Sequence, residues 1–337
     1  MIHDNIELHN VGDVQSVPGV AGLRLQRVPE QVRRHLNEAA QMRMLQPDNI
    51  EIRFVAEGTA RLTLSSEGES KATVFCGLFD YMQRFMIGPE PQTLELDINP
   101  SLAELDQAYW ADMSFSPKVY RVLLGGTQRD PVYLHGIEGE GIRPPRADEL
   151  PSLRYLSYGT SITHGFYSEG PHLNYVAQAA RRLGADLINL GVGGAAHCES
   201  ELADYIAARD DWHIASLGLS VNMQGFPLDE FYERVSYLVN TIAGADTRRP
   251  VACITLYPYY RDFGLDVEGG YCGTPEDYRQ ALRRALEACP HGNAHLVEGP
   301  QLLTDISGLT SDLIHPGDNG MIEMGDNLAA KLTALRR

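Results

Sequence analysis

The strongest constraint on this chain is the alternation that fills its second half. Residues 154–159, 185–191, 213–221, 251–257 and 294–297 are short, almost continuously apolar runs. Between them lie segments with apolar residues three to four apart: 172–183, 199–209, 228–243 and 275–288. A last one runs from about Asn319 to Leu335. A strand that is apolar on both faces belongs to a sheet covered on both sides. Strands alternating with amphipathic helices make parallel βαβ units with right-handed crossovers. The expectation is a three-layer α/β domain, with ligands bound beyond the carboxyl ends of its strands.

The first half has a different rhythm. Residues 50–54, 61–64 and 94–98 alternate with period two, and 71–78, 81–88, 119–124 and 132–136 are further strand candidates. Gly, Pro, Asn and Asp separate them at roughly ten-residue intervals, as in an antiparallel sandwich or jelly roll. One stretch, 29–45, carries helical spacing through Val32, Leu36, Ala39, Ala40 and Met42 or Met44. The Gly- and Pro-rich text EGEGIRPPRADELPSL joins the halves. The expected division is 1–148 for the β-sandwich and 149–337 for the α/β domain.

Composition narrows the function classes. The net charge of −17 is spread over both halves, which disfavours nucleic acid and anionic membrane as partners. No apolar run reaches eighteen residues, so no membrane span is expected. Five cysteines without CxxC spacing fit neither a disulfide scaffold nor a structural zinc site. The opening MIHDNIELHN has no signal-like apolar core, and a cytoplasmic location is the expectation.

Chemistry is expected at four places. The first α/β strand runs into Gly159-Thr160-Ser161. Ser161 there is either a helix cap or a nucleophile at a helix N-terminus, where free N–H groups favour negative charge. The second strand ends in Asn189-Leu190-Gly191-Val192-Gly193-Gly194, whose glycines let backbone N–H groups approach a ligand. The spacing is not that of a dinucleotide loop. The third ends in Leu219-Ser220-Val221-Asn222, placing an amide donor at a strand end. Near the C-terminus, Asp312 and His315 stand three residues apart, close enough for the carboxylate to orient the ring. A metal site would need further ligands, and none is evident.

These four blocks, in this order, resemble the SGNH, or GDSL-type, hydrolase family. The resemblance covers about residues 153–337 and implies a flavodoxin-like parallel sheet. It implies a catalytic set of Ser161, Asp312 and His315, with an oxyanion hole from the N–H groups of Ser161 and Gly194, Gly193 being the alternative glycine, and the Asn222 amide. No cofactor or metal is implied. Thr160 stands where the family has Asp, and Met223 follows Asn222 where Asp is frequent. The N-terminal strands are similar to the β-sandwich some members carry.

The resemblance implies a serine esterase acting on a small or medium acyl ester of a carbohydrate or natural-product alcohol. An acyltransferase passing the group to an alcohol would use the same residues. A binding protein with a degenerate hydrolase fold is the third reading. The expected partners are a small-molecule ester or acyl donor and an alcohol acceptor, and an oligomer is compatible with the sequence. Thr163, Phe166, Tyr167 and the tyrosine-rich stretch 257–273 are candidates for the pocket wall or a lid. His164 competes with His315 as the base but has no evident acid partner in sequence. His197, Cys198 and Cys272 lie near the motifs, and Tyr109-Trp110 is either a sugar platform or packing.

Overall fold

The computed structural model describes residues 1–97, 100–265 and 269–336. Among the described residues eleven strands precede the linker. They are β1 (Ile2–His3), β2 (Ile6–His9), β3 (Asp13–Ser16), β4 (Leu23–Gln26), β5 (Glu51–Phe54), β6 (Ala60–Ser66), β7 (Ser70–Cys76), β8 (Phe79–Ile87), β9 (Gln92–Leu96), β10 (Tyr120–Arg129) and β11 (Val132–Glu138). They form two antiparallel sheets, ordered β1-β2-β5-β10-β7-β8 and β3-β4-β11-β6-β9. Alternate residues from both sheets, among them Leu8, Ile52, Val74 and Val122 against Leu25, Leu62 and Leu134, meet in one apolar core.

The expected helix over 29–45 is two short ones, α1 (Glu30–Arg33) and α2 (Glu38–Arg43). Asn37 is the reason. Its backbone leaves the helical region and its side chain accepts from Ala40 N–H, starting a new helix. Four short strands before residue 27 have no counterpart in the sequence reading, because two to four residues are too few to show a period. Ile98 of the expected strand 94–98 lies outside the described residues. A third short helix, α3, spans Pro100–Ala103.

The second half is a parallel sheet of β12 (Leu153–Gly159), β13 (Ala185–Gly191), β14 (Ile214–Gly218), β15 (Val251–Ile254) and β16 (Ala294–Val297), ordered β13-β12-β14-β15-β16. Helices α5 (Tyr175–Leu183) and α9 (Asp318–Leu335) cover one face. Helices α6 (Ser200–Ala208), α7 (Leu228–Ala245) and α8 (Pro275–Glu287) cover the other. One-turn α4 (Ser161–His164) follows β12 directly. The order reverses between β12 and β14, and a flavodoxin-like sheet opens its ligand crevice at that switch. Strands β14 and β15 stop three residues earlier than their apolar runs, at Gly218 and Ile254; of the residues beyond, Val221 lines the crevice, while Leu219, Leu256 and Tyr257 are buried. Helix α5 starts at Tyr175, where Asn174 caps it, and not at 172. Among the described residues no helix is long and apolar enough to cross a membrane.

The sandwich meets the parallel sheet at its edge. Strand β13 pairs only with β12, so the carbonyls on its outer side lack sheet partners. Side chains of the sandwich supply them. His9 Nε2 donates to Leu187 O at 2.5 Å, Asn10 Nδ2 to Asn189 O at 3.2 Å, and Arg27 to Asn189 O and Gly191 O at 3.2 and 2.8 Å. Residues 187, 189 and 191 share one edge by the period-two rule of a strand. Below them Arg53, fully buried, holds Asp186 with two bonds of 3.0 and 2.6 Å and also reaches Glu51, which Arg121 grips at 2.6 and 2.7 Å.

Candidate active site

Ser161 opens α4 directly after β12, and its Oγ lies 2.7 Å from His315 Nε2. His315 Nδ1 is 2.6 Å from Asp312 Oδ2. The other carboxylate oxygen accepts from the N–H groups of Ile314 and His315 at 2.8 and 2.9 Å and from Thr310 Oγ at 2.9 Å. Burial pushes the Asp312 pKa up, but these donors outweigh it and hold the group below its ordinary value. The turn between acid and imidazole puts Leu313 at φ 55°, and Tyr260 N–H braces it by donating to Leu313 O at 2.8 Å.

Two backbone donors and one amide face the serine. Ser161 N–H, at a helix N-terminus, and Gly194 N–H have no acceptor among the described residues. Gly194 sits at φ 72°, a conformation a side chain would strain, with open space around it. Asn222 is carried on a turn after β14 that Ser220 enters at φ 99°. Its Oδ1 accepts from Ala196 N–H at 3.3 Å, which fixes the amide and leaves Nδ2 as the outward donor. Ser161, Gly194, Asn222 and His315 all line one open cleft of about 340 Å³. The structure thus brings together all five residues named from sequence, Asp312 standing behind His315.

The walls are aromatic. Phe166 and Tyr167 line the cleft, and the Tyr167 ring centre is 4.9 Å from that of His315. From the 257–273 stretch come Tyr259, Tyr260 and Tyr271, the last two joined through their hydroxyls; residues 266–268 of that stretch lie outside the described residues. Gln224 anchors this wall by accepting from Tyr259 OH and from Arg261 at 3.2 Å. Thr163 is buried, 2.8 Å from Tyr175 OH, and not in the wall. Thr160, in the Asp position, is buried with its hydroxyl unpartnered.

His164 corrects one expectation: it has an acid partner. Its ring is fully buried beneath the cleft, with Nε2 3.0 Å from Asp48 Oδ2. Burial and the neighbouring Arg27 push its pKa down to about 3, Asp48 opposing, so the ring is neutral. Asp48 belongs to the loop before β5, more than a hundred residues away, and no local pattern announces it. Arg43, at the end of α2, and Gln224 also line the cleft without having been expected from the sequence. His197 is half-buried, its ring centre 5.0 Å from Phe226, and lies outside the cleft lining. Cys198 is buried, and Cys272 is exposed beside Gly225. Tyr109 is exposed, while Trp110 donates to Leu105 O and lies 6.0 Å from Lys118.

Residues 154–333 match the model of the GDSL-like lipase/acylhydrolase family. No curated protein matches the chain in sequence. Among solved structures, the fold is similar to that of the salicylyl-acyltransferase SsfX3 from a tetracycline biosynthetic pathway. The TM-score is 0.75 at 15% identity, over 98% of this chain and 95% of that one. It is also similar to a family two carbohydrate esterase from Clostridium thermocellum, at TM-score 0.61 and 15% identity over 98% of each chain. An acetyl xylan esterase from Butyrivibrio proteoclasticus aligns at TM-score 0.59 and 12% identity, over 99% of this chain and 96% of that one. These likenesses extend across sandwich and parallel sheet together. The chain is a member of the GDSL-like lipase/acylhydrolase family, an SGNH-type enzyme of the ester hydrolase or acyltransferase kind.

Proposed function

We propose that this protein is a serine-dependent carboxylic-ester hydrolase, with residues 1–148 as the sandwich and 149–337 as the catalytic domain. The observation that carries the reading is the unbroken relay from Ser161 Oγ to His315 to Asp312, at 2.7 and 2.6 Å. Ser161 Oγ attacks the ester carbonyl while His315 Nε2 takes its proton. Asp312 keeps the other ring proton on Nδ1 and stabilises the imidazolium. The carbonyl oxygen, now negative, is held by Ser161 N–H, Gly194 N–H and Asn222 Nδ2. Collapse of the tetrahedral adduct expels the alcohol, which leaves with the proton from His315. Water then attacks the acyl-serine by the same route in reverse. The aromatic cleft suits a small or medium acyl group esterified to a ring-bearing alcohol, such as a carbohydrate or natural product.

A second reading, acyl transfer to an alcohol, is favoured by the tyrosine wall, which can hold an acceptor where water would otherwise enter. The likeness to an acyltransferase across the whole chain supports it too. The two are separated by following p-nitrophenyl acetate turnover with and without a panel of sugar and phenolic alcohols. Hydrolysis gives acetate at a constant fraction of p-nitrophenol. Transfer gives acetylated alcohol at acetate's expense. Ser161→Ala should lose both products, by about 10⁴–10⁶ in kcat, and retained turnover would refute the assignment.

A further inference from the structure

The loop that presents Gly194 is held from the other half of the chain. Arg43 Nε donates to Gly193 O at 3.0 Å. In a trans peptide the carbonyl and the next N–H point in opposite directions. A guanidinium fixed on Gly193 O therefore turns Gly194 N–H the other way. The preceding N–H is fixed as well: Gly193 N–H donates to His164 Nδ1 at 3.1 Å. That bond makes Nδ1 the acceptor and leaves the neutral ring's proton on Nε2, which lies 3.0 Å from Asp48 Oδ2 and 3.2 Å from Arg27 Nη2. Asp48 is itself tied at Oδ1 to Arg129 at 3.0 Å and to Gly126 N–H at 3.3 Å. Gly193 has no room for a side chain, because a Cβ would come 2.5 Å from the Phe166 ring. That ring lies 4.2 Å from the guanidinium carbon of Arg129 and 5.4 Å from that of Arg43.

We propose that the sandwich sets the oxyanion hole: Arg43 directly, and Asp48 through His164, are positioning residues that clamp both ends of Gly193 and so aim Gly194 N–H. Backbone at a Gly-Gly step is otherwise the most permissive in the chain, and an oxyanion donor works only if it is aimed before the charge develops. The inference rests on the serine-hydrolase reading above.

The test is steady-state kinetics on p-nitrophenyl acetate with Arg43→Met, Arg43→Lys and Asp48→Asn, each checked for folding by thermal melting. Loss of aim at one donor lowers kcat about tenfold to a hundredfold, as a misplacement of an ångström does. KM should change less than about threefold, since the ground-state carbonyl takes little from the hole. Arg43→Lys, which keeps a donor for Gly193 O, should recover most of the Arg43→Met loss. Should Arg43→Met not fold, Asp48→Asn tests the other end of the clamp with the same kcat signature. Wild-type kcat in both variants, or a rise in KM alone, overturns the inference; the latter would make Arg43 a substrate contact. Failure of the serine-hydrolase reading is distinguishable, because Ser161→Ala would then retain turnover whatever Arg43 does.

Discussion

The crevice at the strand tips and the seam beneath it are built by opposite means. At the tips, the functional groups sit on short turns after β12, β13 and β14 and before α9, each turn presenting one or two polar groups to an open cleft. In the seam, Arg27, Arg53, Asp48, Glu51, Asp186 and His164 are buried, held by close ion pairs such as Arg53–Asp186 and His164–Asp48 and by backbone carbonyls such as Asn189 O and Gly191 O, many of them more than a hundred residues away in sequence. Groups at the tips are left with spare hydrogen-bonding capacity for a reaction. Groups in the seam have almost none, and their work is to hold. The contrast teaches that an enzyme's donors can be local while their aim is not.

The sharpest way to break that contrast is to remove a charge from the seam. Arg53→Met would leave Asp186 and Glu51 buried without their shared cation. Breaking one member of a buried ion network costs about 3–5 kcal/mol, because the remaining charges stay desolvated. Urea unfolding should register a loss of that size, and a loss below about 1 kcal/mol would mean the seam is not what joins the halves.

A smaller effect is expected with pH. His164 is neutral in the fold with a pKa near 3, against about 6.5 when unfolded. Between those values the unfolded chain binds the extra proton, so stability falls as pH falls below about 6.5. The slope from this group approaches about 1.4 kcal/mol per pH unit. Urea midpoints at pH 7.5, 6.5 and 5.5 check it, and His164→Gln should show a flatter profile. Equal slopes in the two proteins would remove His164 as the cause.

Much of the tip region was legible from the chain. Ser161, Gly194, Asn222, Asp312 and His315 each stand where an apolar strand run stops or a helix begins, and the four blocks come in a fixed order. The parallel sheet was legible for the same reason: strands covered on both faces write continuous apolar runs. The apolar runs extend past the ends of β14 and β15, because residues after the last ladder bond, such as Leu219, Leu256 and Tyr257, stay apolar where they are buried in the core. The seam was not legible. Arg27, Arg43 and Arg129 look like any exposed arginine in text, and Asp48 like a turn residue after Pro47. What makes them matter is the outer edge of β13 and the back of α4, surfaces that exist only once both halves have folded. His164 illustrates the limit: it stands three residues after Ser161 in sequence, but its acid partner in space is Asp48.

Every step of the proposed reaction depends on Ser161 as the nucleophile. The most direct measurement is reaction of the wild-type chain with a fluorophosphonate, followed by mass spectrometry of the intact protein and its peptides. One phosphonyl adduct is expected, on the peptide containing Ser161, absent from Ser161→Ala and formed much more slowly in His315→Ala. An adduct on another residue, or none on a folded protein, would contradict it.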